Sequence, residues 1–270
     1  MTLTDSSRKI SRFGARYVLE ARLRNMFKFI WVIAAISFLN PLLYLISFGV
    51  GIGSLITSNM GENGIDGVSY LTFVAPALLA SAAIQGAMDE AIFPTINGFK
   101  WSKIFYGMNA TPQTGSTIAS GVFLTVLVRT TISVLAYSFV LYLFGAMDSP
   151  HAYLAVPIAI LSGASFGAVM MAFASRVTNE DLFFTIVGRF LFGPMFLFSG
   201  TFYPLASLPI GLQFIGWISP LWHATELGRY ATYGHSISPT MVMTHLLVIL
   251  IMLVLGLLSA FKQFSKRLTK

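Results

Sequence analysis

The side chains suited to chemistry are few, and several of them sit close together. His223 and Glu226 stand three residues apart, but a zinc protease needs two His around a Glu on one helical face, and no H-E-x-x-H run occurs. His151, His235 and His245 are far apart in the chain, which suits interfacial positions better than a metal site. Asp89 and Glu90 are adjacent, and adjacent residues on a helix do not face each other, so they make a poor acid/base pair. They read as a solvated helix end, or as carboxylates of which one pairs with a basic residue of a partner or of the amino-terminal segment. No G-x-x-x-x-G-K-[ST] run exists, and Gly98 to Lys103 lacks its spacing, so nucleotide is not bound through that loop. The chain has no Cys, which removes disulfides, thiolate metal sites and Cys nucleophiles.

The elements that must position these residues are membrane helices. Of 270 residues, 56% are hydrophobic and 10% charged, where soluble domains carry about a quarter charged residues. A bilayer core takes about 20 apolar residues of helix. Six runs meet that length: Phe29 to Gly53, Val68 to Phe93, Ile118 to Ala146, Ala152 to Ser175, Leu182 to Tyr203 and Thr240 to Phe261. Pro41, Pro76 and the Gly193-Pro194 pair kink spans without disqualifying them, because neighbouring helices re-satisfy the freed carbonyls. Small residues in the fourth span, Gly163 to Gly167, permit close helix approach. The expected fold is therefore all-α, with a head at 1–28 and a six-span membrane domain at 29–270.

Charge orients that domain. Seven of the seventeen Lys and Arg lie in the first 28 residues and four in the last nine, and basic residues are retained on the cytoplasmic side. The connections Ser54 to Gly67 and Met147 to His151 hold Glu62, Asp66 and Asp148 and no Lys or Arg, whereas Lys100, Lys103 and Arg176 fall on the other side. Both termini are thus expected in the cytoplasm, with the chain in the inner membrane. Arg129 and Arg189 lie inside spans three and five, in halves where a long side chain can snorkel, and Arg229 alone is left outside. The net charge of +7 is terminal and juxtamembrane, which suits anionic lipid and not nucleic acid. Ion-driven transport usually needs ionisable groups in mid-membrane, and these spans hold almost none, so energy for any transport must come from elsewhere.

Two segments depart from plain hydropathy. In the head, Arg8, Arg12 and Arg16 form one helical row and Ile10, Phe13, Tyr17 and Ala21 another, the pattern of an amphipathic helix lying in the interface. Such a helix anchors to lipid or docks a cytoplasmic partner. Between spans five and six, a stretch at about 205–239 carries an apolar piece, Ile210 to Ile218, that is too short to span and is punctuated by Pro204, Pro209 and Pro220. Short apolar segments bounded by Pro and Gly suggest re-entrant helices.

The run from Pro194 through Ser199-Gly200-Thr201-Phe202-Tyr203-Pro204 to Pro209, followed by Pro220-Leu221-Trp222-His223-Ala224-Thr225-Glu226-Leu227-Gly228-Arg229, resembles the signature of ABC-2 type permeases, nearest to those of nodulation-factor and daunorubicin exporters. Glu90 with Phe93-Pro94-Thr95 and Asn109-Ala110-Thr111-Pro112 is similar to that family's connection between spans two and three. The resemblance implies a membrane subunit without enzymatic activity or cofactor of its own. It implies association with a second permease, a copy or a paralogue, and with two copies of a nucleotide-binding ATPase subunit that holds the ATP and Mg. It places contacts to that subunit on Arg12, Arg16, Phe99, Lys100, Trp101 and Lys103, with Glu90 at the rim, in a coupling segment at about 94–110. It places Phe198, Tyr203, His223, Glu226 and Arg229 nearest an outer gate. The implied cargo is an amphiphile: a lipid-linked glycan, a lipo-oligosaccharide or a hydrophobic drug. A membrane-embedded lipid- or glycan-modifying enzyme using His223 and Glu226, and a channel or assembly subunit without ATP coupling, are the competing readings.

Overall fold

The computed structural model describes residues 3–53, 55–56, 64–147 and 151–269, and side chains for all of these except 3–12, 49 and 50. Glu62 and Asp148, used above to orient the connections, lie outside the described residues.

Helix α1 (Leu3–Phe27) takes up nearly the whole head. Among the described residues, six helices are long and apolar enough to cross a membrane: α2 (Ile30–Phe48), α3 (Tyr70–Trp101), α5 (Gly115–Leu143), α6 (Ala152–Ala174), α7 (Glu180–Phe198) and α10 (Pro239–Leu268). The short helices α4 (Ile104–Asn109), α8 (Ile210–Ile218) and α9 (Pro220–Tyr233) connect them. Polar caps fix the starts: Ser69, Thr114, Asn179, Ser219 and Ser238 each accept a backbone N–H of the following turn, which satisfies a donor the helix leaves unpaired. Gly234, at φ 72°, ends α9 in the left-handed region that glycine enters without penalty.

The six spans agree with the apolar runs, but several ends do not. Helix α3 passes the expected end at Phe93 and reaches Trp101 through a break at Ile92 and a wide coil at Asn97–Trp101. Helix α10 passes Phe261 and reaches Leu268. In both cases the extension is held by aromatic packing, with Phe99 against Phe264 at 4.8 Å and against Phe105 at 5.0 Å. Helix α7 is shorter than expected: it starts at Glu180 and stops at Phe198, because Gly200, at φ 72°, turns the chain.

Burial divides the spans into a centre and a periphery. Helix α3 has 72% of its apolar window buried, whereas α2, α7 and α10 have 17%, 11% and 17%. Helix α6 packs between α3 and α10, and α5 packs along α3. Gly163 on α6 allows this approach, since a Cβ there would stand 2.7 Å from the carbonyl oxygen of Ala83 on α3. Helix α1 lies on α5, where a side chain at Gly121 would meet the Ala15 carbonyl oxygen at 2.8 Å. Val18 of α1 is buried there and Met26 is buried further along the helix, while Phe13 and Tyr17, from the apolar row read in the sequence, remain exposed.

Candidate functional site

Two clusters of charge lie at opposite ends of the bundle, one beside α1 and α4, the other beneath α9. In the first, the adjacent carboxylates of α3 diverge as helical geometry requires. Glu90 pairs with Arg22 of α1 at 2.5 Å, both side chains being 12% exposed. Asp89 turns towards Arg129 of α5 at 3.4 Å and accepts a hydrogen bond from Gln85 at 2.7 Å. Of the two readings offered for this pair, the structure shows the one that joins a carboxylate to the amino-terminal helix.

Arg129, read in the sequence as a side chain that can snorkel, is enclosed within the bundle. Its helix runs from Gly115 to Leu143, which puts the residue at the midpoint, and the side chain is buried. The guanidinium donates to the Ser133 hydroxyl at 2.5 Å and more distantly to that of Ser37 at 3.5 Å. Beside it lies a cavity of about 130 Å³ between α2, α3 and α5, with Phe192 and Phe196 of α7 at its edge.

The segment after Glu90 is anchored on one side and bare on the other. Phe99 is buried, and the Arg267 guanidinium lies 4.4 Å from its ring centre. Lys100 donates to the Thr178 carbonyl oxygen at 2.7 Å and pairs with Glu180, which ties the segment to the start of α7. Trp101 remains exposed with its ring 5.2 Å from that of Phe93. Lys103 is exposed and holds a left-handed φ of 53°, which turns the chain sharply into α4.

Beneath α9, Arg229 is 1% exposed and all three of its nitrogens have acceptors. Nη1 meets Glu226 at 2.9 Å, Nη2 the Gly200 carbonyl oxygen at 2.7 Å and Nε that of Phe73 at 3.4 Å. The Phe73 ring lies 3.8 Å from the guanidinium carbon. Glu226 also faces His235 at 3.5 Å, and His235 faces Asp66 at 3.2 Å. His223 is buried and its Nδ1 stands 2.7 Å from Nδ1 of His245 on α10, while its Nε2 stands 2.9 Å from the Trp217 carbonyl oxygen. Burial pushes the His223 pKa below the ordinary His value, against a smaller upward pull from that carbonyl.

The expected contact residues are therefore not one surface. Arg16, Trp101 and Lys103 are exposed, Glu90, Phe99 and Lys100 are engaged inside the bundle, and the side chain of Arg12 lies outside the described residues. Among the expected gate residues, Glu226 and Arg229 form one network and His223 joins a separate pair with His245. Phe198 ends α7, and Tyr203 donates to the Leu197 carbonyl oxygen at 2.8 Å instead of joining either group. The two side chains an enzyme would have used, His223 and Glu226, thus each have other partners. Two features had gone unread: the Arg129 cavity and the pairing of His223 with His245.

Comparison with known proteins fits this architecture. The family model described as ABC-2 type transporter matches residues 16–233, from within α1 to the end of α9. Nodulation protein J of Rhizobium leguminosarum bv. viciae is 24% identical over 231 residues, 86% of each chain. Nodulation protein J of Neorhizobium galegae is 24% identical over 231 residues, 86% of this chain and 85% of that one. The protein of that name from Sinorhizobium fredii is 26% identical over 191 residues, 71% of this chain and 70% of the other. A multi-pass chain whose family match takes in five of its six spans, with the Arg22–Glu90 and Glu226–Arg229 pairs, belongs to the ABC-2 type transporter family.

Proposed function

We propose that this chain is the permease half of an ATP-driven exporter that moves an amphiphile outward across the cytoplasmic membrane, with both termini inside. The observation that carries the reading is the build of the segment from Glu90 to Asn109. It is clamped to α1 by Arg22, to α7 by Lys100 and to α10 by Phe99, yet presents Trp101 and Lys103 uncovered. A rigid knob tied to three helices transmits a push from a partner to all of them. In this reading the partner is the nucleotide-binding subunit, which supplies ATP, Mg and the energy, and Arg12 and Arg16 of α1 line the same contact. Helix α1 lies in the inner interface with Phe13 and Tyr17 towards lipid. Helices α8 and α9 enter the outer leaflet and return, closing the path from above. A second permease, a copy or a paralogue, covers faces of α2 and α7 that this chain leaves bare.

The test is co-purification. The chain alone is expected to hydrolyse no ATP, and the nucleotide-binding subunit is expected to copurify with it from membranes. Substituting Trp101→Ala with Lys103→Glu should release that subunit while leaving the fold intact. Full retention of the subunit and of transport by the double variant would overturn the assignment. Orientation is checked separately, since the chain has no Cys: a single Cys at Thr269 should label only from the cytoplasmic side and one at Ser236 only from the opposite side.

A further inference from the structure

The cavity beside Arg129 lies among the contacts that tie α5 to α3 and α2, and its largely apolar walls carry one polar face. Its polar lining includes Arg129, Ser37, Asn40, Ser133 and Tyr137, with Asp89 at the mouth. Empty cavities in proteins are apolar, and polar ones hold something that satisfies their walls. At about 130 Å³ the space is on the order of ten times what one water needs.

The walls are rich in donors. Ser37 and Ser133 accept from Arg129 through oxygen, which leaves their protons free to donate. The Tyr137 hydroxyl is buried with no hydrogen-bond partner, although the residue lines the cavity and is only 3% exposed. Arg129 is the one cation on this surface, and its acidic partner is a poor match: Asp89 meets it through a single contact at 3.4 Å, is drawn aside by Gln85 and is 43% exposed. A guanidinium favours a bidentate oxyanion, and here it lacks one. The cavity edge changes character, with Tyr44 of α2 and Phe192 and Phe196 of α7 offering an apolar wall on two sparsely covered peripheral helices.

We infer that this cavity binds the anionic headgroup of an amphiphile, a phosphate ester, sulfate ester or carboxylate, with the start of the apolar tail against Tyr44, Phe192 and Phe196, inside the faces of α2 and α7 that the second permease covers. The headgroup takes bidentate hydrogen bonds from Arg129 and accepts from Tyr137, and Asp89 swings outward as it enters. The identification of the ligand as cargo rests on the exporter reading above; the binding itself does not.

The experiment uses the full chain in nanodiscs of neutral phosphatidylcholine, with radiolabelled dodecyl phosphate as probe, dodecyl maltoside as the uncharged comparison and inorganic phosphate as competitor. Dodecyl phosphate is expected to bind saturably and about tenfold or more tighter than the maltoside, as charge-assisted hydrogen bonds imply. Arg129→Gln should remove that preference, Tyr137→Phe should weaken the phosphate severalfold with packing unchanged, and Asp89→Asn should tighten it. The Tyr137→Phe arm keeps the test decisive if Arg129→Gln fails to fold. Equal binding of the two amphiphiles, indifference to Tyr137→Phe, or displacement by inorganic phosphate as readily as by dodecyl phosphate would overturn the inference. Absent binding with the nucleotide-binding subunit still attached sinks this inference alone; tight binding with no such subunit sinks the exporter reading alone.

Discussion

Arg229 and Arg129 are both withdrawn from solvent, at 1% and 6% exposure, yet they occupy opposite chemical situations. Arg229 has an acceptor at each nitrogen and an aromatic ring against its face. Arg129 has two hydroxyls and one loosely held carboxylate, and it borders open volume. Burial alone therefore does not mark a functional charge. A buried cation whose donors are all taken is a rivet, whereas one with poorly matched acceptors beside a polar space has capacity for a ligand.

The sharpest way to break that contrast is to remove each cation in turn. Arg229→Met leaves Glu226 buried with His235 as its remaining ion-pair partner among the described residues and leaves two carbonyl oxygens without their donor, so a loss of about 3 kcal/mol is expected. Thermal unfolding of the purified chain in detergent should fall by roughly 10 °C. Arg129→Met deletes a cation whose partner is 43% exposed and keeps water access, so its cost should stay below about 1 kcal/mol. If the two variants lost the same stability, the distinction between rivet and ligand site would fail.

A second comparison sets the short, enclosed Arg22–Glu90 pair, in which Arg22 Nε is left without a partner, against the longer and more exposed Arg129–Asp89 pair on the same helix end. Both side chains of the first pair are largely buried and the contact is short. A double-mutant cycle of Arg22→Gln with Glu90→Gln should give a coupling of about 1.5 kcal/mol. Hydrogen exchange should rise along α1, most clearly at the buried Val18 and Met26. The same cycle on Arg129 and Asp89 should give less than about 0.5 kcal/mol after solvent screening.

The α9 end should also respond to pH through His223. Burial lowers its pKa in the folded chain, whereas in the unfolded chain it titrates near the usual value of about 6.5. The folded state thus binds fewer protons, so the stability from this group is complete above about pH 6.5 and is lost as pH falls below it. Charging both rings would also set two Nδ1–H donors against each other across 2.7 Å. Thermal unfolding at pH 5 should therefore come earlier than at pH 7.5, and His223→Gln should flatten the difference. An unchanged pH slope in that variant would show that His223 is not the group responsible.

How much of this was legible in the sequence follows from what hydropathy records. It counts apolar residues along a helix, so all six spans were visible. It does not record where a helix stops once it leaves lipid, which is why α3 and α10 run beyond Phe93 and Phe261 on the strength of Phe99, Phe105 and Phe264 meeting across the fold. Nor does it say which way a side chain points. Arg129 was placed in its span and read as able to snorkel, although Ser133 one turn on gave a local hint of a shared polar face. The approach of His223 to His245 joins residues 22 apart on two helices, and nothing local announces it. That one of Asp89 and Glu90 pairs with a basic residue was readable, with a partner or the amino-terminal helix as the source, because adjacent carboxylates on a helix diverge. The partner of Glu90, Arg22, lay outside the regular Arg8, Arg12, Arg16 spacing that drew attention to the helix.

The smallest expected effect bears most directly on the comparison. Asp89→Asn keeps the side-chain volume and its hydrogen-bonding capacity towards Gln85, and removes one charge from a contact that is long and partly wet. On stability the change should be within about 0.5 kcal/mol, because an exposed carboxylate at this distance gains little from its partner. The outcome differs in kind from Glu90→Gln, where a short contact between two enclosed side chains is lost and α1 loosens. If Asp89→Asn instead destabilised the chain as much as Glu90→Gln, the carboxylate would be holding Arg129 in place as firmly as Glu226 holds Arg229. The cavity would then border a satisfied cation, and the two arginines would have to be assigned the same structural role.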